Sequence, residues 1–105
     1  MQYSISSHKM NGYQPDYDMR LAMNNFDRAV FHAFPYTTVT VEHFMYGANL
    51  DMVTVIVGDE PKTEYGHFNV TAKSVHFNGH TCSHETYAIF DQLTLNDDCH
   101  KGGLI

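Results

Sequence analysis

The chain has 105 residues, 43% of them hydrophobic and 13% aromatic, which is enough for one core and too little for two. Twelve Asp and Glu stand against six Lys and Arg, a formal charge of −6 with the histidines neutral. No window gathers the Lys or Arg that phosphate neutralisation requires, so direct nucleic-acid binding and an anionic membrane surface are excluded as expectations.

A single α+β domain is expected over 1–105, with loosely held ends at 1–15 and 96–105. Tyr3 and Ile5 alternate with polar residues and allow an edge strand around Tyr3 to Ser7, before the turn signals Asn11-Gly12 and Pro15. From about Asp16 to Phe34, Met19, Ala22, Met23, Phe26, Ala29, Val30, Ala33 and Phe34 make one apolar stripe and predict a helix. Asp16 or Asp18 can cap it, Pro35 stops it, and Arg20, Asn24, Asp27 and Arg28 fall on the wet side.

Three strands are predicted next, at Thr37 to Phe44, Asp51 to Val57 and Glu64 to Ala72. The middle one is apolar on both faces and reads as a central strand. After Ala72 the apolar parity changes from Phe68, Val70 and Ala72 to Val75 and Phe77, which predicts a bulge or short turn near Lys73-Ser74. Asn78-Gly79 predicts a hairpin turn. Ser83 to Leu95 is read as a helix capped by Ser83, with Tyr87, Phe90 and Leu93 inward, and a strand is its alternative. The expected fold is therefore α+β, an antiparallel three- to four-stranded sheet with helices on one face, in the order α-β-β-β-α. That order is similar to the double-stranded RNA-binding domain's, but the stretch HTCSHETYAIFDQL lacks the Lys or Arg that such a domain sets against phosphates.

The potential metal ligands are concentrated late in the chain. His80, Cys82 and His84 share one face if extended, Cys99 offers a fourth ligand, and imidazole with thiolate suits tetrahedral zinc. The spacing matches no CxxC pair and no HExxH. Cys82 beside His84 also raises a thiolate nucleophile, but no residue pattern supplies its orienting group, so no catalytic residue is assigned. No glycine-rich nucleotide loop is present. Cys82 and Cys99 are expected reduced, and the absence of an apolar opening run or a membrane-length stretch suits a cytoplasmic protein.

The acids are spread unevenly. Residues 1–52 carry five (Asp16, Asp18, Asp27, Glu42, Asp51) against Lys9, Arg20 and Arg28, a net of −2. Residues 53–105 carry seven (Asp59, Glu60, Glu64, Glu85, Asp91, Asp97, Asp98) against Lys62, Lys73 and Lys101, a net of −4. Tyr3, Tyr13, Tyr17, Tyr36 and Tyr46 fall largely outside the regular elements. Tyrosines ringed by acids suit protein recognition. The expected function is a small acidic module that inhibits or modulates a protein partner with a basic surface, such as a nucleic-acid-handling complex, by blocking rather than catalysis. Asp59, Glu60, Glu64, Tyr46 and Tyr65 are its expected contact residues. Small size and acidity are shared with phage-encoded inhibitors of host or defence machinery, an analogy of size and charge. The alternatives are a zinc-binding protein built on His80, Cys82 and His84, zinc being the one cofactor in view, and a self-associating structural subunit.

Overall fold

A computed structural model of the chain describes residues 3–9, 14–47 and 49–95. Its elements are β1 (Tyr3–Lys9), α1 (Tyr17–Ala33), β2 (Val39–Gly47), β3 (Leu50–Val57), β4 (Glu64–Val70), β5 (Val75–Thr81) and α2 (His84–Leu95). The strands form one sheet in the order β1-β2-β3-β4-β5. β1 runs parallel to β2, and each later neighbour is antiparallel. The α+β class holds, but the expected antiparallel three- to four-stranded sheet is corrected to a mixed five-stranded one, and α-β-β-β-α becomes β-α-β-β-β-β-α. The edge strand at the start of the chain is present as β1. Its parallel pairing uses α1 as the crossover that such a connection requires.

Asp16 is the N-cap of α1, its Oδ1 accepting the Met19 N–H at 2.9 Å. Met19, Ala22, Met23, Phe26 and Val30 form the buried stripe. Two polar residues depart from the simple amphipathic reading. Asn25 is buried, and Asp27, expected on the wet side, is half-buried and turned toward the sheet.

Alternation sets the faces of the strands. Val39, Val41 and Met45 of β2, Val53, Val55 and Val57 of β3, and Phe68 and Val70 of β4 are buried on one face beneath the helices. The parity change after Ala72 is accommodated by a turn, in which the Thr71 hydroxyl accepts the N–H groups of Lys73 at 3.1 Å and Ser74 at 3.0 Å. The hairpin expected at Asn78-Gly79 is corrected. These residues lie inside β5, where His67 pairs with Gly79 and Phe68 with Phe77, so Asn78 is the extra residue of a bulge. A small flexible pair serves a bulge as readily as a turn.

α2 begins where the Ser83 hydroxyl accepts the Thr86 N–H at 3.2 Å, so helix rather than strand is correct for this segment. Phe90 and Leu93 are buried, whereas Tyr87, expected inward, is 40% exposed and lies against Phe77 and His80. Both helices cover the same face. Phe68 of β4 meets Phe26 of α1 at 5.2 Å and Phe90 of α2 at 5.7 Å between ring centroids. Gly66 permits this approach, since a Cβ there would stand 2.7 Å from the Phe90 ring. Among the described residues, no helix lies on the other face of the sheet.

Candidate functional site

Beneath the helices lies a group of three titratable side chains from three elements. His43 of β2 is 1% exposed, and its Nδ1 is hydrogen-bonded to Asp51 Oδ2 of β3. Its Nε2 meets Asp27 Oδ1 of α1 at 2.6 Å. Burial alone would depress the His43 pKa, but bonds to both carboxylates and their charges outweigh it and raise it to about 9. An imidazolium donates from both nitrogens, which is what two carboxylate acceptors require. Tyr3 completes the surround, its hydroxyl donating to the Asp27 carbonyl at 2.7 Å. Both ring nitrogens are committed and the ring is sealed, so the triad ties α1 to β2 and β3 and has no face for a substrate. Each of the three was read in the sequence as an ordinary strand or helix residue. The missed signal was parity: His43 and Asp51 occupy inward positions of otherwise apolar strand faces.

The histidines and cysteine singled out from the sequence lie at the opposite end of β5. His80 is the last residue but one of that strand and lies beside Cys82, with Nδ1 and Sγ 3.5 Å apart. His84 opens α2, so the alternation expected to align His80, Cys82 and His84 stops at Thr81. Cys99 lies outside the described residues. Among the described residues no group of three or more His, Cys, Asp or Glu side chains is arranged to hold a metal ion. Burial and the Glu64 carboxylate push the Cys82 thiol up, the reverse of the electropositive setting that activates a thiolate.

Glu64, expected at a partner surface, is engaged at the start of α2. Its Oε1 accepts the Ser83 N–H at 2.6 Å and its Oε2 accepts the Thr86 hydroxyl at 2.8 Å. The bond from the Ser83 N–H, against the opposing effect of burial and with help from Thr86, holds its carboxyl below the usual carboxylate range. Asp59 and Glu60 are exposed in the loop between β3 and β4, as expected. That loop is tied to the turn between α1 and β2, where the Gly58 N–H donates to the Thr38 carbonyl at 2.8 Å. The same turn presents Tyr36, 87% exposed. Gly58 makes the loop possible, with φ +98° and a would-be Cβ 2.9 Å from the Lys62 carbonyl oxygen. At this end of the sheet lie the turn that carries Tyr36, the loop that carries Asp59, Glu60 and Lys62, and, where β4 and α2 begin, Glu64 and Glu85. Tyr65 lies instead on the open sheet face, accepting a hydrogen bond from the Thr63 hydroxyl at 3.1 Å, and the side chain of Tyr46 is outside the described ones.

The open face is ordered in three rows by the register. Ser4, Thr40, Ile56, Tyr65 and Thr81 form the first, Ser6, Glu42, Thr54, His67 and Gly79 the second, and His8, Phe44, Met52, Asn69 and His76 the third. A shallow cleft of about 390 Å³ lies among Phe44, Met52, Thr54, His67 and Asn69. Glu42 is the one acid in these rows, and no Lys or Arg stands in them. Among the described residues no helix is long and apolar enough to cross a membrane. Comparison with protein-family models, curated proteins and solved structures returns no match.

Proposed function

We propose that the chain is a non-catalytic protein-binding module that inhibits or modulates a partner with a basic surface, such as a nucleic-acid-handling complex. The observation that carries this reading is that Tyr36, 87% exposed, stands on a turn hydrogen-bonded to the loop that carries the exposed carboxylates Asp59 and Glu60. An exposed aromatic ring supplies contact area at low entropic cost, and the surrounding carboxylates steer a cationic surface and reject an anionic one. The sealed His43 and the raised Cys82 thiol favour binding over chemistry.

Capture from an extract of the source organism or its host tests the proposal. A partner retained by the native chain is expected to be lost with Asp59→Lys/Glu60→Lys and weakened with Tyr36→Ala, with retention falling as salt rises. Retention that ignores both the charge reversal and the salt contradicts the reading.

A further inference from the structure

The open sheet face has a property independent of the acidic loop end: it is complementary to itself. Row two places Glu42 on β2 and His67 on β4, one strand to either side of Thr54 on β3. His67 Nδ1 is already bonded to the Thr54 hydroxyl at 3.2 Å, which leaves Nε2 for another partner. Glu42 makes no ion pair among the described residues. Met52, 38% exposed, and half-buried Ile56 lie on β3 to either side of Thr54.

We infer that this face pairs with the same face of a second copy, about a two-fold axis lying parallel to β3 over Thr54. Such an axis lays β2 of one copy over β4 of the other. Glu42 of each then meets His67 of its partner, twice per dimer, while Met52, Thr54 and Ile56 each meet their own copies along the axis. Two sheets packed in this way stand roughly 10 Å apart with side chains interdigitating. The interface is isologous and closed, so it makes a dimer rather than a filament. Charge selects the axis. The other in-plane two-fold through Thr54, across the strands, would set Glu42 on Glu42, a like-charge contact that disfavours it, and would leave each His67 facing His67 with no carboxylate acceptor. The near absence of charge over the three rows, in a chain of net charge −6, is the composition of an interface centre. A dimer built this way leaves the loop end with Tyr36, Asp59 and Glu60 free in both copies, and hence bivalent.

Sedimentation equilibrium of the full chain over a range of concentrations tests the inference, with circular dichroism confirming that each variant is folded. The native chain is expected at twice its 12.0 kDa mass. Glu42→Lys or His67→Glu should each raise the dimer dissociation constant by about tenfold or more. The double change Glu42→Lys/His67→Glu should restore the dimer, because the exchanged charges meet again across the axis. Thr54→Arg, on the axis, gives a second route to the monomer should either charge change disturb the fold. A native chain at 12.0 kDa throughout, a dimer indifferent to both single variants, or a double variant no tighter than the singles overturns the proposal.

Discussion

The two faces of the sheet treat charge in opposite ways. The helix-covered face holds a buried imidazole between two carboxylates, His43 with Asp27 and Asp51, alongside a cluster of phenylalanines. The open face is accessible to water, yet Glu42 is its one acid among three rows of hydroxyls, amides, imidazoles and apolar side chains. Formal charge is therefore a poor guide to the surface of this protein. Of its twelve acids, Asp27 and Asp51 hold His43, Asp16 caps α1 and Glu64 caps α2. Of the other described acids, Asp59, Glu60 and Glu85 lie toward the loop end, Asp18 and Asp91 on the helices, and Glu42 alone on the open face.

If the covered face is where stability resides, breaking its triad should have the largest effect. His43→Ala leaves Asp51, 0% exposed, as a buried carboxylate without its cation, and should destabilise the fold by about 3–5 kcal/mol in denaturant titration. The pH dependence follows from the same contacts. The folded pKa of His43, about 9, lies above the ordinary histidine value near 6.5, so the triad's contribution is complete below pH ~6.5 and is lost as pH rises through about 9. Thermal melts across that window should register a loss on the order of 3 kcal/mol, and His43→Ala should flatten it.

Gly66→Ala tests the packing of the same face, because its new Cβ meets the Phe90 ring at 2.7 Å; a loss of about 1–3 kcal/mol is expected. Glu64→Ala removes the acceptor of the Ser83 N–H and should cost about 1 kcal/mol. Its carboxyl is held below the usual range, so this contribution is present above the ordinary carboxylate pKa and disappears as pH falls through the lowered one. On the open face Thr54→Lys should change the stability of the folded chain by less than about 0.5 kcal/mol while weakening self-association. A large loss of stability there would erase the contrast between the faces.

Much of this fold was legible locally. The α1 stripe with its Asp16 cap, the doubly apolar β3 and the parity change at Lys73-Ser74 each state their structure within a few residues. β1 was harder, since a parallel strand takes its partner from beyond the crossover helix, and Tyr3 and Ile5 cannot specify that distance. Asn78-Gly79 misled because a turn pair and a bulge share the same small, flexible residues. The site was less legible than the fold. Asp59 and Glu60 stand exposed as expected, but Tyr36 becomes prominent only when Gly58 and Thr38 bring its turn to their loop. The His43 triad joins residues from three elements. His43 and Asp51 are diagonal neighbours across β2 and β3, a relation that exists only once Met45 is known to pair with Asp51.

The most direct test of the contrast between the faces is the protonation state of His43, read by nitrogen-15 NMR of its imidazole. Both ring nitrogens should carry protons at neutral pH, exchange slowly with solvent, and keep their protons until the pH approaches about 9. A neutral His43 ring at pH 7, or one that titrates near the ordinary histidine value, would contradict the account.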